Sequence, residues 1–215
     1  MTHFDGLFAG DNNLNGYTLG AYWTRFGPSG WYLDATVQGS WFDISANSHR
    51  SLATFGTHGV GFAGSFEGGY PLKFNNGYFI EPQVQIVYQN NTLSGRSDGF
   101  AAVRFDDTTS LAGRIGARFG RTLAIEPGPN PRNVTVWLRP NLWYEFLGDP
   151  LTQFLSATGF IPFRADLGGL WGEINGGVSG QINSYATAFA NVSYQSRFDL
   201  KSSAYDGKIG LRINW

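Results

Sequence analysis

The most constraining stretch of this chain is its last. From Tyr205 to Trp215 every second residue is Tyr205, Gly207, Ile209, Leu211, Ile213 and Trp215, and between them sit Asp206, Lys208, Gly210, Arg212 and Asn214. A β-strand sends alternate side chains to opposite faces, so one face here is apolar and the other polar or small. The chain then stops on an aromatic residue. A strand that is apolar on one side, polar on the other and ends at a terminus is what the closing seam of a transmembrane β-barrel requires.

The same alternation recurs upstream and predicts ten strands, near 2–10, 16–26, 30–43, 57–71, 77–90, 108–122, 133–147, 167–182, 185–198 and 205–215. The third is the cleanest, with Trp31, Leu33, Ala35, Val37 and Trp41 against Tyr32, Asp34, Thr36, Gln38 and Ser40. A slip of one residue would turn every inward charge toward lipid, so each register should be firmly fixed. At about 3.3 Å per residue and a tilt near 40°, roughly eleven residues rise about 28 Å, the height of an outer-membrane apolar band.

Composition agrees. Glycine occurs 30 times and aromatic residues make up 16 %, while charged residues are 14 %, well under the share in soluble domains. No stretch approaches the apolar run of a membrane helix. A net charge of −1 gives no reason to expect nucleic acid as a partner. The absence of cysteine fits an oxidising periplasm. Met1–Gly10 has no basic segment followed by an apolar core. A barrel needs such a leader to reach its membrane, so the natural start is expected upstream of Met1.

The links alternate in length. Gly27–Gly30 is tight, 72–76 is short and the link at Asn183 is very short, whereas 44–56, 91–107 and 148–166 are long. Short turns belong to the periplasmic side of bacterial barrels and long loops to the outside. Trp31, Tyr70, Tyr78 and Trp215 then fall at the periplasmic edge. Tyr17, Trp41, Tyr88, Tyr144 and Tyr205 fall at the external edge, and the two sets form interfacial girdles. Pro82 and Pro140 lie inside strands, where each removes a ladder hydrogen bond, and are expected to mark bulges.

Several motifs give this pattern a family. They are Gly16-Tyr17-Thr18-Leu19-Gly20-Ala21-Tyr22-Trp23, then Trp31-Tyr32-Leu33-Asp34-Ala35, Glu81-Pro82-Gln83-Val84-Gln85, Ser110-Leu111-Ala112-Gly113-Arg114-Ile115-Gly116-Ala117-Arg118, and the terminal Gly210-Leu211-Arg212-Ile213-Asn214-Trp215. In this order the chain resembles the C-terminal translocator barrel of autotransporters (type V secretion) over its whole length. The resemblance implies an all-β, antiparallel transmembrane barrel in the outer membrane of a Gram-negative bacterium. The family barrel has twelve strands, a helix threading the pore and an upstream secreted passenger. Residues 1–215 are therefore expected to be one N-terminally truncated barrel domain. The implied role is an aqueous pore for export of the passenger. Implied partners are outer-membrane lipid, the barrel-assembly machinery, periplasmic chaperones and the passenger. The assembly machinery would read Tyr205, Gly207, Ile209, Leu211, Ile213 and Trp215.

The inward residues are the candidate functional surface: Asp34, Glu67, Glu81, Arg114, Arg118, Arg139, Glu145, Glu173, Arg197, Lys208 and Arg212. Mixed charge keeps a channel wet and lets an unfolded segment slide, and it can equally serve to pair the walls together. No cofactor, metal or catalytic residue is expected. Without cysteine, thiolate nucleophiles and cysteine metal sites are excluded. His49 and His58 lie near Asp43 beside one external link, a hint of a surface Asp–His site as in omptin-like proteases. Alternatives to the translocator are thus a stand-alone ten-stranded pore, an adhesin, or such a protease.

Overall fold

The computed structural model describes residues 2–3, 10–48, 55–97, 102–126, 132–148, 151–156, 159–164, 168–198 and 202–213. The strands are β1 (Thr2–His3), β2 (Gly10–Phe26), β3 (Tyr32–Ser48), β4 (Phe55–Gly69), β5 (Leu72–Lys73), β6 (Tyr78–Leu93), β7 (Arg96–Ser97), β8 (Ala102–Phe105), β9 (Thr108–Glu126), β10 (Arg132–Glu145), β11 (Leu151–Ser156), β12 (Gly159–Arg164), β13 (Gly169–Gln181), β14 (Ala186–Arg197) and β15 (Ser203–Ile213). One large sheet runs β1-β2-β3-β4-β6-β9-β10-β13-β14-β15, each strand antiparallel to the next, with β5 attached to β6. The expected all-β antiparallel architecture is present. The two outermost long strands, β2 and β15, are not paired with each other among the described residues.

The interior is inverted relative to a water-soluble domain. Among the described residues Ala112 is the single buried hydrophobic residue, whereas Thr57, Glu81, Gln83, Arg114, Asn141, Glu145 and Asn175 are buried. Large apolar side chains instead stand outside: Val84 is 59 % exposed, Ile115 60 % and Ile209 87 %. In water such a surface would be strongly unfavourable, since apolar area is stabilised only when it leaves water. In hydrocarbon it is the favourable arrangement, because the backbone polar groups between neighbouring strands are already paired along the ladders.

Glycine abundance has a packing cause. Five inward aromatic rings cover a glycine that is the direct cross-strand partner: Tyr32 over Gly69, Phe42 over Gly59, Phe79 over Gly120, Trp137 over Gly177 and Phe189 over Gly210. A Cβ at any of these glycines would fall inside the ring's contact distance. Gly120→Ala would also bring the new methyl within 2.8 Å of the Val136 carbonyl. This substitution is expected to cost about 1–3 kcal/mol by overpacking, read as a lower urea midpoint in detergent. Gly64→Ala, with nothing nearer than 3.8 Å, is expected to leave the midpoint in place.

Turns carry the signals expected of them. Gly30 has φ 95° and its N–H donates to the Gly27 carbonyl at 2.9 Å, closing the tight link after β2. Asn76 and Gly77, at φ 62° and 77°, turn the chain into β6. The Asn183 side chain accepts from the N–H groups of Tyr185 and Ala186, which closes the shortest link.

One expectation is corrected. Pro82 and Pro140 mark no bulge, for Pro82 pairs in register with Ala117 and Pro140 with Ile174. The bulge lies instead between Arg132 and Asn133, at the start of β10. Pro82 is tolerated because β4 ends at Gly69, so only Tyr70 reaches its carbonyl there. The long links are not featureless. Segments of 91–107 and 148–166 form β7, β8, β11 and β12, a second antiparallel sheet of order β12-β11-β8-β7. Finally, the first expected strand is described only as Thr2–His3, paired with Asn12 and Asp11, and 4–9 lie outside the described residues.

Candidate functional site

The polar side of the large sheet is its concave side, because its side chains touch strands two places away. Tyr32 on β3 takes a hydrogen bond from Gln83 on β6 at 2.8 Å, passing over β4. Arg114 on β9 donates to Glu67 on β4 at 2.6 Å, passing over β6. Arg139 on β10 donates to Gln83 at 3.3 Å, passing over β9. Each contact spans two inter-strand spacings, which only a sheet curled toward that face allows. Glycine makes room for the first, since Gly69 lies between Tyr32 and Gln83 in the register.

Arg114 is the centre of this network. It is 3 % exposed. Besides Glu67 it donates to Asn141 Oδ1 at 3.1 Å, and its guanidinium lies 5.5 Å from the Trp143 ring. A charge this buried persists only with a paired and hydrogen-bonded partner. Tyr32 donates to the other Glu67 oxygen at 2.6 Å, so that carboxylate is held from two sides. Glu81 pairs with Arg118 at 2.8 Å and accepts from Gln83 at 2.6 Å, while Arg118 lies over the Phe79 ring. Arg139 forks onto Asn175 Oδ1 at 3.0 and 2.7 Å and lies over Trp137. Glu173 accepts from Asn141 at 3.0 Å and from Trp143 Nε1 at 2.8 Å.

The remaining candidates lie away from this centre. Glu145 is at the β10 end, where it accepts from the N–H groups of Leu111 and Leu147 and from Ser110 Oγ. Arg197 donates to the Gly168 carbonyl. Lys208 on β15 is largely exposed, 4.0 Å from Asp206, which also takes a hydrogen bond from Ser193. Arg212 is exposed on the same strand, opposite Thr187. Asp34 lies opposite Glu67, and its Oδ1 is buried without a hydrogen-bond partner. Tyr205, Gly207, Ile209, Leu211 and Ile213 share the other face of β15, and Trp215 lies outside the described residues.

Charge alone did not point to the uncharged members of this network. Gln83, Asn141 and Asn175 are among the most buried side chains of the chain, and Trp143 and Trp171 stack at 5.6 Å with planes 2° apart. The signal was parity, since each sits an even number of places from an inward acid or base on its own strand.

The expected Asp–His site takes a different form. Asp43 is the cross-strand partner of His58, and His58 Nε2 is 3.1 Å from Ser94 Oγ. These three lie on the side opposite Glu67 and Arg114, at the rim, and His49 lies outside the described residues. Among the described residues no group of three His, Cys, Asp or Glu is placed to hold a metal ion.

Comparison with known proteins bears directly on this inside-out sheet. The model of the autotransporter beta-domain matches residues 1–193. The chain belongs to this family. The β-domain is 27 % identical over 218 residues to the adhesin BmaC autotransporter of Brucella suis biovar 1, covering 96 % of this chain and 6 % of that protein. It is 26 % identical over 222 residues to the pertactin autotransporter of Bordetella bronchiseptica, covering 100 % of this chain and 23 % of that protein. It therefore spans less than a quarter of the length of these relatives. The crystal structure of the transport unit of the autotransporter AIDA-I from Escherichia coli superposes with a TM-score of 0.80 at 20 % identity. That match covers 97 % of this chain and 68 % of the other. The beta domain of the Bordetella autotransporter BrkA gives a TM-score of 0.70 at 22 % identity, covering 98 % and 77 %.

Proposed function

We propose that this β-domain is a translocator in the outer membrane of a Gram-negative bacterium, forming an aqueous conduit through which an N-terminal passenger reaches the cell surface. The observation that carries this reading is the inverted polarity. Apolar side chains stand on the convex face, and a polar, charge-balanced network lines the concave one. Acids and bases in near balance offer a sliding polypeptide no strong single-sign trap. Asp34, Glu67, Glu81, Arg114, Arg118, Arg139, Glu145, Glu173, Arg197, Lys208 and Arg212 serve as wall rather than as reagents. The outward row of β15, together with the Trp215 that follows it in the sequence, is the signal for the barrel-assembly machinery, with periplasmic chaperones delivering the chain.

The test places a signal peptide and a reporter domain upstream of Met1 and assays the reporter on intact cells with externally added protease. Cleavage of a surface reporter supports the conduit, and a reporter retained in the periplasm while the barrel inserts rejects it. Replacing His58 and Ser94 together by alanine is expected to leave export unchanged, within about twofold, because both lie on the outer face away from the wall; these are solvated surface residues of the kind whose substitution costs little. Loss of export in that variant would favour the protease alternative.

A further inference from the structure

The network of strand-skipping contacts stops one strand short of an edge. Proceeding from β10 toward β2, the contacts link β10 to β6, β9 to β4 and β6 to β3. Asp34 on β3 is the next inward acid in that direction. Glu67, Glu81, Glu145 and Glu173 each have donors, as described above, whereas Asp34 Oδ1 is buried and has none. Beside it is a cavity of about 300 Å³ lined by Tyr22, Thr24, Asp34, Ser65, Glu67 and Gln85 among others, with two carboxylates but no cation in its wall, the Gln85 amide donating to Ser65. Asp34 and Glu67 also stand directly opposite each other, an unfavourable like-charge pair, and Arg114 neutralises only Glu67.

We propose that Asp34 is the unfilled half of one more such contact. Its partner is an arginine or lysine on the inward face of a polypeptide strand hydrogen-bonded to the edge of β2 turned away from β3, over the stretch that β1, paired only at Asp11 and Asn12, leaves unpaired among the described residues. The basic side chain crosses over β2 near Tyr22–Thr24 and enters the cavity. Two features select this occupant. The spacing matches, since a strand beyond β2 lies two places from β3, as β4 does from β9 and β6 from β10. The chemistry matches as well, since a buried carboxylate oxygen in a pocket that holds two carboxylates and no cation is satisfied by a charged multi-donor group. The proposal rests on the translocator reading only in taking the concave side as an interior.

The probe is a synthetic peptide of about eleven residues, the length that crosses the apolar band. It alternates leucine with threonine and carries one central arginine, or citrulline in its place. Binding to the chain refolded in detergent is followed by fluorescence anisotropy. The arginine peptide is expected to bind about tenfold more tightly than the citrulline peptide, as a charge-assisted bond to a buried carboxylate implies. The preference should fall to about twofold or less in Asp34→Asn, or in Asp34→Ser should the first variant not fold, since the charged acceptor is then gone. Because the chain has no cysteine, single Thr24→Cys and Lys208→Cys variants locate a version of the arginine peptide that carries one terminal cysteine, the two thiols being oxidised to a disulfide by an added oxidant such as oxidised glutathione, with capture expected at position 24. Equal affinity for the two peptides, a preference that survives in Asp34→Asn, or capture only at position 208 would each overturn the proposal. A chain that exports a fused reporter but treats both peptides alike refutes the clamp and spares the translocator. A chain that prefers arginine but exports nothing does the reverse.

Discussion

Arg114→Ala is expected to destabilise the folded β-domain by about 3–5 kcal/mol, the cost of leaving one half of a buried ion pair behind. The side chain of Arg114 is 1 % exposed and that of Glu67 is 17 %, so water cannot substitute for the missing guanidinium. The loss also frees Asn141 and uncovers the Trp143 ring. Urea titration in detergent, read by the heat-dependent shift in gel mobility, measures it. The double variant Arg114→Met with Glu67→Gln is expected to recover most of the loss, because replacing both charges removes the unpaired one. A single variant that loses less than about 1 kcal/mol would mean that this pair is solvated and that the network does not set the curl.

Ile115→Arg is expected to cost about 2–4 kcal/mol in lipid vesicles, although it adjoins the arginine just discussed. Ile115 points the other way, is 60 % exposed and stands in one row with Val84 and Leu142. The row lies between Tyr78 and Tyr88 on β6, inside the apolar band. A guanidinium there meets hydrocarbon rather than the charged interior. Gln89→Arg, on the inward face of β6 and already exposed, is expected to fold as well as the parent. If Ile115→Arg inserts into vesicles as readily as Gln89→Arg, the convex face is not the lipid face and the orientation argued here fails.

Period-two alternation made the long strands legible, since a residue such as Leu33 or Asp34 has only two directions available. It gave the inward acids and bases their side, and glycine and proline gave the tight links. It did not give the strand-skipping partners, because which strand lies two places away depends on curl, and curl is not a local property. Gln83 is the clearest case: its neighbours along the chain do not show that it bridges Tyr32 and Arg139. Asn141 and Asn175 were hidden for the same reason. The external strands escaped because their alternation is broken: in Phe160-Ile161-Pro162-Phe163 apolar residues run together, and Phe154 finds Val103 far away in sequence. Expecting bulges at Pro82 and Pro140 missed that a strand end, or a single absent bond, accommodates proline without a shift of register.

The small sheet at the rim has a practical consequence. Thr152, Gln153 and Phe154 pair with Phe105, Arg104 and Val103, and the Asp106 N–H reaches the Leu151 carbonyl at 3.0 Å. Two loops that emerge from different hairpins are thereby stitched into one lintel above β9 and β10. An epitope spliced into either loop would unfasten its mate as well, so neither is an independent display site.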